Sequence, residues 1–337
     1  MKYVEGELIT PSGFEPGYIG FDDNRILENG RGNAPGRGIA NGLILPGFFN
    51  AHTHIGDSFI RKKNVTLPRS IEELVAPPNG LKHRLLREAT DREIIDGMVE
   101  SIAYMKQKGT VFFCDFRENG IRGVMQLKTA LKHEYLDVGI LSRPREMKYH
   151  KEELKMLLDN SDGIGVSSIS DWEYTDLMKI AKEVKRKGKI FSLHASERIR
   201  EDIDGVIDLK PDMLVHMNQA NLSDLIRVKE ADIPVVICPR SNAFFGLKRN
   251  YMILKESGVR ILLGTDNAML HEPDILEEVR YIMNDPGNVF TLHELLMMIT
   301  YNPRKVLNED GGILVQDSES SFVVLERGTL KPLYVHI

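Results

Sequence analysis

From residue 43 onward the chain alternates between two textures. Short apolar runs, rich in β-branched and aromatic residues, are separated by longer stretches where apolar residues recur every three or four positions among charges. The runs are LILPGFFNAH (43–52), TVFFCDF (110–116), DVGILSRP (137–144), GIGVSSIS (163–170), KIFSLHA (189–195), DMLVHM (212–217), PVVICP (234–239) and RILLGTD (260–266). Between them lie segments of helical period, such as DREIIDGMVESIAYMKQKG and DLMKIAKEVKRKG. Near-continuous apolar strands are those buried on both faces. Strands that alternate with helices are joined in parallel by crossovers. Eight such units in about 250 residues predict an α/β fold, a closed (β/α)8 TIM barrel. The alternative is an open doubly wound sheet, which would carry fewer strands and a nucleotide fingerprint that this sequence lacks.

The two ends have a different texture. Residues 1–42 are short apolar pieces broken by glycine, and the tail after residue 305 returns to the same pattern. Frequent turn signals predict small β-structure there. The expected organisation is a small β-rich domain made of residues 1–42 and 306–337, beside a barrel of residues 43–305. The glycine-rich GRGNAPGRG fits neither the P-loop nor the dinucleotide pattern and reads as a surface loop. The first crossover, from residue 57 to about 90, is long and contains a Pro-Pro-Asn-Gly turn signal. An insert after a barrel strand lies at the catalytic end. It reads as a lid or wall over a pocket, or else as a loop without a role.

Composition narrows the setting. Hydrophobic residues make up 42% and charged residues 28%, as in a soluble globular protein. The formal net charge is −5, and the basic clusters RKK (61–63) and KRKGK (185–189) are short. That argues against a nucleic-acid partner. No apolar run approaches the roughly 20 residues of a membrane helix, and the N-terminus has no apolar secretory core. Cys114 and Cys238 each sit inside an apolar run, with no C-x-x-C spacing. The expected setting is the cytoplasm, with a small molecule as substrate and no membrane partner; a homo-oligomer stays open.

Chemistry in a (β/α)8 barrel gathers at the C-terminal strand ends. His52 and His54 end the first run, His194 the fifth with Glu197 after it, His216 the sixth and Asp266 the eighth. Four of the ten histidines therefore fall at these ends. His83, His133, His150, His293 and His336 read as structural or solvated, and His271, just after the eighth run, stands apart from them. Side chains at i and i+2 of a strand point the same way, so His52 and His54 can reach one point, with Thr53 turned away. Imidazole and carboxylate suit Zn²⁺, and also Fe²⁺ or Mn²⁺. A lone H-x-H is a weak signal. With His194, His216 and Asp266 at the required ends, it predicts a metal centre.

The segments LPGFFNAHTH, LHASE, VHM, CPRSN and LGTDN, in this order, resemble the amidohydrolase superfamily. They are most similar to its cytosine deaminase and chlorohydrolase-like branch, which includes adenosylhomocysteine deaminases, guanine deaminases and triazine hydrolases. The resemblance spans roughly residues 43–305. It implies that His52, His54, His194 and Asp266 hold one divalent metal ion, zinc before iron or manganese. It also implies that His216 sits beside the metal's water or the substrate, that Glu197 shuttles protons, and that Ser241 and Asn242 line the pocket. Asp266 would both ligate the metal and accept a proton. The fourth run has no lysine, which favours one metal over two. The P-C-x-x-C of the unrelated nucleoside deaminases is missing. Arg143 and Arg145 after the third run, Trp172 after the fourth, and Asn267 with His271 are expected near the mouth. There an arginine suits a carboxylate or phosphate and a tryptophan can stack on a heterocycle. The expected activity is hydrolytic deamination of a purine, pterin or pyrimidine-like heterocycle. Hydrolysis of another C–N bond, triazine dechlorination and a metal-binding protein without turnover are the alternatives.

Overall fold

The computed structural model describes residues 1–23, 25–307, 314 and 321–337. In chain order its strands are β1 (Lys2–Thr10), β2 (Gly13–Phe21), β3 (Ile26–Arg31), β4 (Gly38–Pro46), β5 (Phe48–His54), β6 (Thr110–Arg117), β7 (Asp137–Ser142), β8 (Gly163–Val166), β9 (Ile190–Ala195), β10 (Met213–His216), β11 (Val235–Ile237), β12 (Ile261–Leu263), β13 (Asp266–Asn267), β14 (Phe322–Leu325) and β15 (Pro332–His336). They form two sheets. The larger is parallel throughout, in the order β12-β11-β10-β9-β8-β7-β6-β5-β13. Its two end segments are separated along the chain by only Gly264 and Thr265, so the sheet curls round on itself. Gly264 N–H donates to Ile237 O on one side, and Thr265 N–H donates to His52 O on the other, both at 3.0 Å. A Cβ on Gly264 would stand 2.6 Å from the Cβ of His52. Only glycine lets the chain approach β5 so closely.

The smaller sheet, in the order β15-β14-β4-β1-β2-β3, takes strands from both chain ends. The apolar run at 43–52, expected as one strand, contributes to two. Leu43–Pro46 pairs with β14 in the small sheet, and Phe48 onward pairs with β6 in the large one. Unbroken apolar character signals burial but not which sheet a residue pairs with, so the crossing at Gly47 left no mark in the pattern. The expected β texture of the tail falls partly on 308–313 and 315–320, which lie outside the described residues. Beyond them β14 and β15 form an antiparallel hairpin.

Burial on two faces explains the strand composition. Phe49, Ala51, Phe112, Cys114, Phe116 and Val215 join one apolar cluster on the inside of the curl. Phe48, Phe113, Ile164 and Leu193 join the larger cluster beneath the helices. The helices bury one stripe each. Tyr174–Arg186, for example, buries Leu177, Ile180, Ala181 and Val184, at the i, i+3, i+4, i+7 spacing of a helical face. Their starts are chemically marked. Thr90 caps Asp91–Gln107 and Thr291 caps Leu292–Met297, each in a reciprocal box with the glutamate three residues on. Among the described residues, no helix is long and apolar enough to cross a membrane. Both cysteines are buried and unbridged.

Candidate active site

The C-terminal ends of β5, β9 and β10 and the start of β13 converge. One donor atom each from His52, His194, His216 and Asp266 lies within 4.8 Å of the others. His52 Nε2 is 3.3 Å from Asp266 Oδ1, and His54 Nε2 is 3.5 Å from the same oxygen. The tightest group thus contains His216, which sequence reasoning placed beside the ligands, while His54 closes on it from one side. The β5–β6 pairing shifts register between Asn50 and Thr53. With that irregularity the inward set changes from Phe49 and Ala51 to His52 and His54, the re-aiming that a bulge provides. His216 and Asp266 adopt φ of +76° and +59°, a region side-chain-bearing residues seldom occupy. Strain of this kind persists where surrounding structure over-determines it, commonly at functional sites.

The imidazoles are arranged as neutral donors. Burial pulls the pKa of His52, His194 and His216 down, and that of His54 to about 3. His194 Nδ1 lies 2.9 Å from Val166 O and His54 Nδ1 lies 3.1 Å from Phe116 O. A proton on each Nδ1 meets a carbonyl acceptor and leaves the Nε2 lone pair free. His52 is fully buried, yet its Nδ1 has no hydrogen-bond partner. Buried polar groups are normally satisfied. Three imidazoles and a carboxylate with unsatisfied buried nitrogen among them fit a divalent metal ion of the zinc type. Ser241 Oγ donates to Asp266 Oδ2. Burial pushes the Asp266 carboxyl up, but His52, His216 and His54 more than reverse this and hold it well below the usual range.

Glu197 behaves oppositely. Its Oε1 is 3.5 Å from His216 Nε2. Burial first, then the negative charge of Asp266, raises its pKa to about 8. Both effects favour its protonated form.

A cavity with about 70 Å³ of free space opens over this group. His54, His194, Glu197, His216 and Asp266 line its floor, with Asn267 beside them. The insert forms one wall through Ile71, Val75, Lys82 and His83, and Arg143 stands in another. Several residues expected at the mouth lie elsewhere. Ser241 is buried behind Asp266, and Asn242 lies beside His216 and lines a separate cavity. Trp172 is buried with its Nε1–H donated to Ser167 Oγ at 3.1 Å. His271 is outside the cavity lining, its pKa lowered to about 4 by burial and then by Arg240. Arg145 borders a neighbouring cavity instead. Sequence reasoning singled out none of Asp57, Lys82, Asp115, Arg117 and Glu118, which surround His54. The apolar run at 110–116 ended one residue before Arg117 and Glu118, so the strand-end reading stopped short of them.

A family model described as the amidohydrolase family matches residues 43–332. The chain belongs to the amidohydrolase family. A relative in Methanocaldococcus jannaschii, an uncharacterised protein, is 34% identical over 96% of this chain and 87% of its own length. A 5-methylthioadenosine/S-adenosylhomocysteine deaminase of Pyrococcus furiosus is 23% identical over 86% of this chain and 77% of its own. Among solved structures, an adenosine deaminase from Xanthomonas campestris with bound zinc shares the fold. It superposes with a TM-score of 0.74 at 16% identity, covering 96% of this chain and 84% of that one. The amidohydrolase match begins at Leu43 and includes every residue of the converging cluster.

Proposed function

We propose that this amidohydrolase-family chain is a metal-dependent hydrolase that removes an amino group from a nitrogen heterocycle of the purine, pterin or pyrimidine type. The observation that carries the reading is the pairing of three imidazoles and the Asp266 carboxylate with Glu197, whose Oε1 is 3.5 Å from His216 Nε2 and whose pKa burial and Asp266 raise. The deaminase names of relatives and the zinc in a structural neighbour support it. We assign His52, His54, His194 and Asp266 as ligands of one divalent ion, with zinc first. We read the curled sheet as a closed (β/α)8 barrel of residues 43–305, and the sheet of the two ends as a small companion domain of 1–42 and 306–337.

When bound, such an ion lowers the pKa of water toward 7 and so makes a nucleophile available at neutral pH. The chain's own groups do the rest. Asp266, held ionised, accepts the proton that water loses. Glu197, held protonated, donates to a ring nitrogen as water's oxygen bonds to the sp² carbon; the proton taken by Asp266 then goes to the amine, which leaves as ammonia, and the remaining hydroxyl proton returns to Glu197. His216, between them, orients the attack and stabilises developing negative charge. Arg143 and the insert wall position the remainder of the substrate, a small molecule. The test is ammonia release from a panel of aminated bases and nucleosides, adenine nucleosides first, with zinc-loaded and iron-loaded protein. Ammonia from at least one, lost in Asp266→Asn, is the expected result. Hydrolysis of cyclic amides or chlorotriazines without ammonia would replace this reading with another hydrolysis.

A further inference from the structure

Next to the cluster lies a buried ionic network that the deamination scheme does not use. Glu118, just past the end of β6, is 4% exposed, and Lys82, from the insert helix Leu81–Glu88, is 2% exposed. Lys82 Nζ is 2.5 Å from Glu118 Oε1 and 3.3 Å from Asp57 Oδ2, and it donates to Asn267 Oδ1 at 2.8 Å. The same Glu118 Oε1 is 2.8 Å from His54 Nδ1. On its other oxygen Glu118 accepts from Arg117 Nη2 at 2.7 Å, and Arg117 Nη1 reaches Asp115 Oδ2 at 3.1 Å. Asp115 Oδ1 in turn accepts from the Ile55 N–H and from Thr53 Oγ1, the residues flanking His54. Asp57 Oδ1 accepts from the Met269 N–H beyond Asp266.

We infer that Glu118 and Lys82 are positioning residues for the metal centre, with Lys82 of the insert completing it from outside the sheet. The inference rests on the assignment of His54 as a ligand. Two acceptors, Phe116 O and Glu118 Oε1, face His54 Nδ1, so the proton stays on that nitrogen and Nε2 keeps its lone pair toward Asp266. Lys82 holds Glu118 in place and, through Asn267, braces the residue next to Asp266. One ammonium thus fixes two of the four ligands. Without it three acids, Asp57, Asp115 and Glu118, would be left in a buried space with only the arginines Arg117 and Arg143 near them among the described residues, which disfavours the arrangement. Outer partners of a ligating histidine set its tautomer and ring orientation, and their loss typically weakens metal binding about 10–100-fold. Docking of the insert and binding of the ion are therefore linked: each stabilises the other.

The test measures zinc affinity of the full chain by competition with a chromophoric chelator, with zinc ion alone as ligand. Glu118→Ala and Lys82→Met are expected to bind zinc about 10–100-fold more weakly, with Lys82→Arg retaining part of the affinity. Nitrogen-15 spectra of the histidine rings are expected to show the Nδ1–H form of His54 in the wild type, and its loss in Glu118→Ala. Wild-type affinity in both variants would overturn the inference. If Lys82→Met does not fold, Lys82→Met/Glu118→Gln removes both charges together, and full zinc affinity in that protein would overturn it equally. His54→Ala runs alongside. Zinc affinity unchanged there overturns the ligand assignment and this inference together. Loss there with none in Glu118→Ala overturns this inference alone.

Discussion

Two carboxyl groups in one cavity are pushed in opposite directions. Asp266 is held ionised by the imidazoles around it, and Glu197 is held protonated by burial and by Asp266 itself, with a pKa of about 8. Environments that separate two pKa values in this way separate an acid from a base. Replacing Glu197 by glutamine should therefore lower kcat by about 10²–10⁴-fold while leaving zinc content at the wild-type level, as read by steady-state kinetics and elemental analysis. Within reach of the Asp266 charge, Glu278 is fully buried, with its Oε2 accepting from the Arg240 N–H at 2.9 Å, and burial raises its pKa to about 8 against the opposing Arg240. Between its unfolded value near 4.3 and 8, the folded state holds a proton that the unfolded state has lost. Stability therefore falls as pH rises through that window and levels off above it. Glu278→Gln removes this dependence: its melting temperature should gain on the wild type as pH climbs from about 4.5 to 8. A difference that stays flat would show that Glu278 is ionised in the fold. These residue-scale features were unevenly legible. His52, His54, His194, His216, Glu197 and Asp266 stood out because strand ends in a barrel are chemically privileged. Lys82 and Glu118 did not, because a buried ion pair is made of the two residue types that most often mean solvent exposure. Thr53 read as turned away from the metal; the fold gives it a hydrogen bond to Asp115.

At the scale of elements, the insert and the long helix behind it carry the consequences. The cavity holds about 70 Å³ of free space, whereas small-molecule pockets span about 300–1,000 Å³. Its wall of Ile71, Val75 and His83 comes from the insert, which pairs no strand with either sheet. Amide exchange across residues 63–80, ahead of Lys82, should accordingly be faster than across β5 and β6, and equal protection would contradict an insert held less tightly than the sheet. The helix Asp91–Gln107 that follows starts in a reciprocal box. Thr90 Oγ1 accepts from the Glu93 N–H at 3.2 Å, and Glu93 Oε2 accepts from the Thr90 N–H at 2.9 Å. Thr90→Ala should lower the unfolding free energy by about 1 kcal/mol, measurable by urea titration, with kcat unaffected. Helix starts of this kind follow from a few adjacent residues, so they can be read locally. The division of residues 43–52 between β4 and β5 could not be, because strand partners lie far away in sequence.

For the molecule as a whole, the histidine–aspartate cluster that could hold a metal joins β5, β9, β10 and β13, elements spread over more than half of the chain. An ion that binds only when these ends are assembled stabilises the folded state by mass action. Removal of the ion by a chelator should lower the unfolding midpoint and abolish turnover. Zinc at about a hundred times its dissociation constant should restore about 2.7 kcal/mol of stability, read by calorimetry. Lys82→Met should recover less at the same zinc concentration, since its weakened site is less saturated.

By itself, the sequence determined what periodicity and motif order can express: the alternating strands and helices, the β-rich ends, and the donors at the strand ends. These are properties of short segments, set by side-chain spacing and local backbone preference. The tertiary structure decided which face each segment turns and what meets across it. It turned His52 and His54 inward through an irregularity in strand pairing. It placed Ser241 and Asn242 beside Asp266 and His216 instead of in the cavity wall. It also brought Lys82 from the insert against Glu118 and Asn267. Contacts between residues tens or hundreds of positions apart leave no periodic trace, because they are fixed by packing and charge balance in three dimensions.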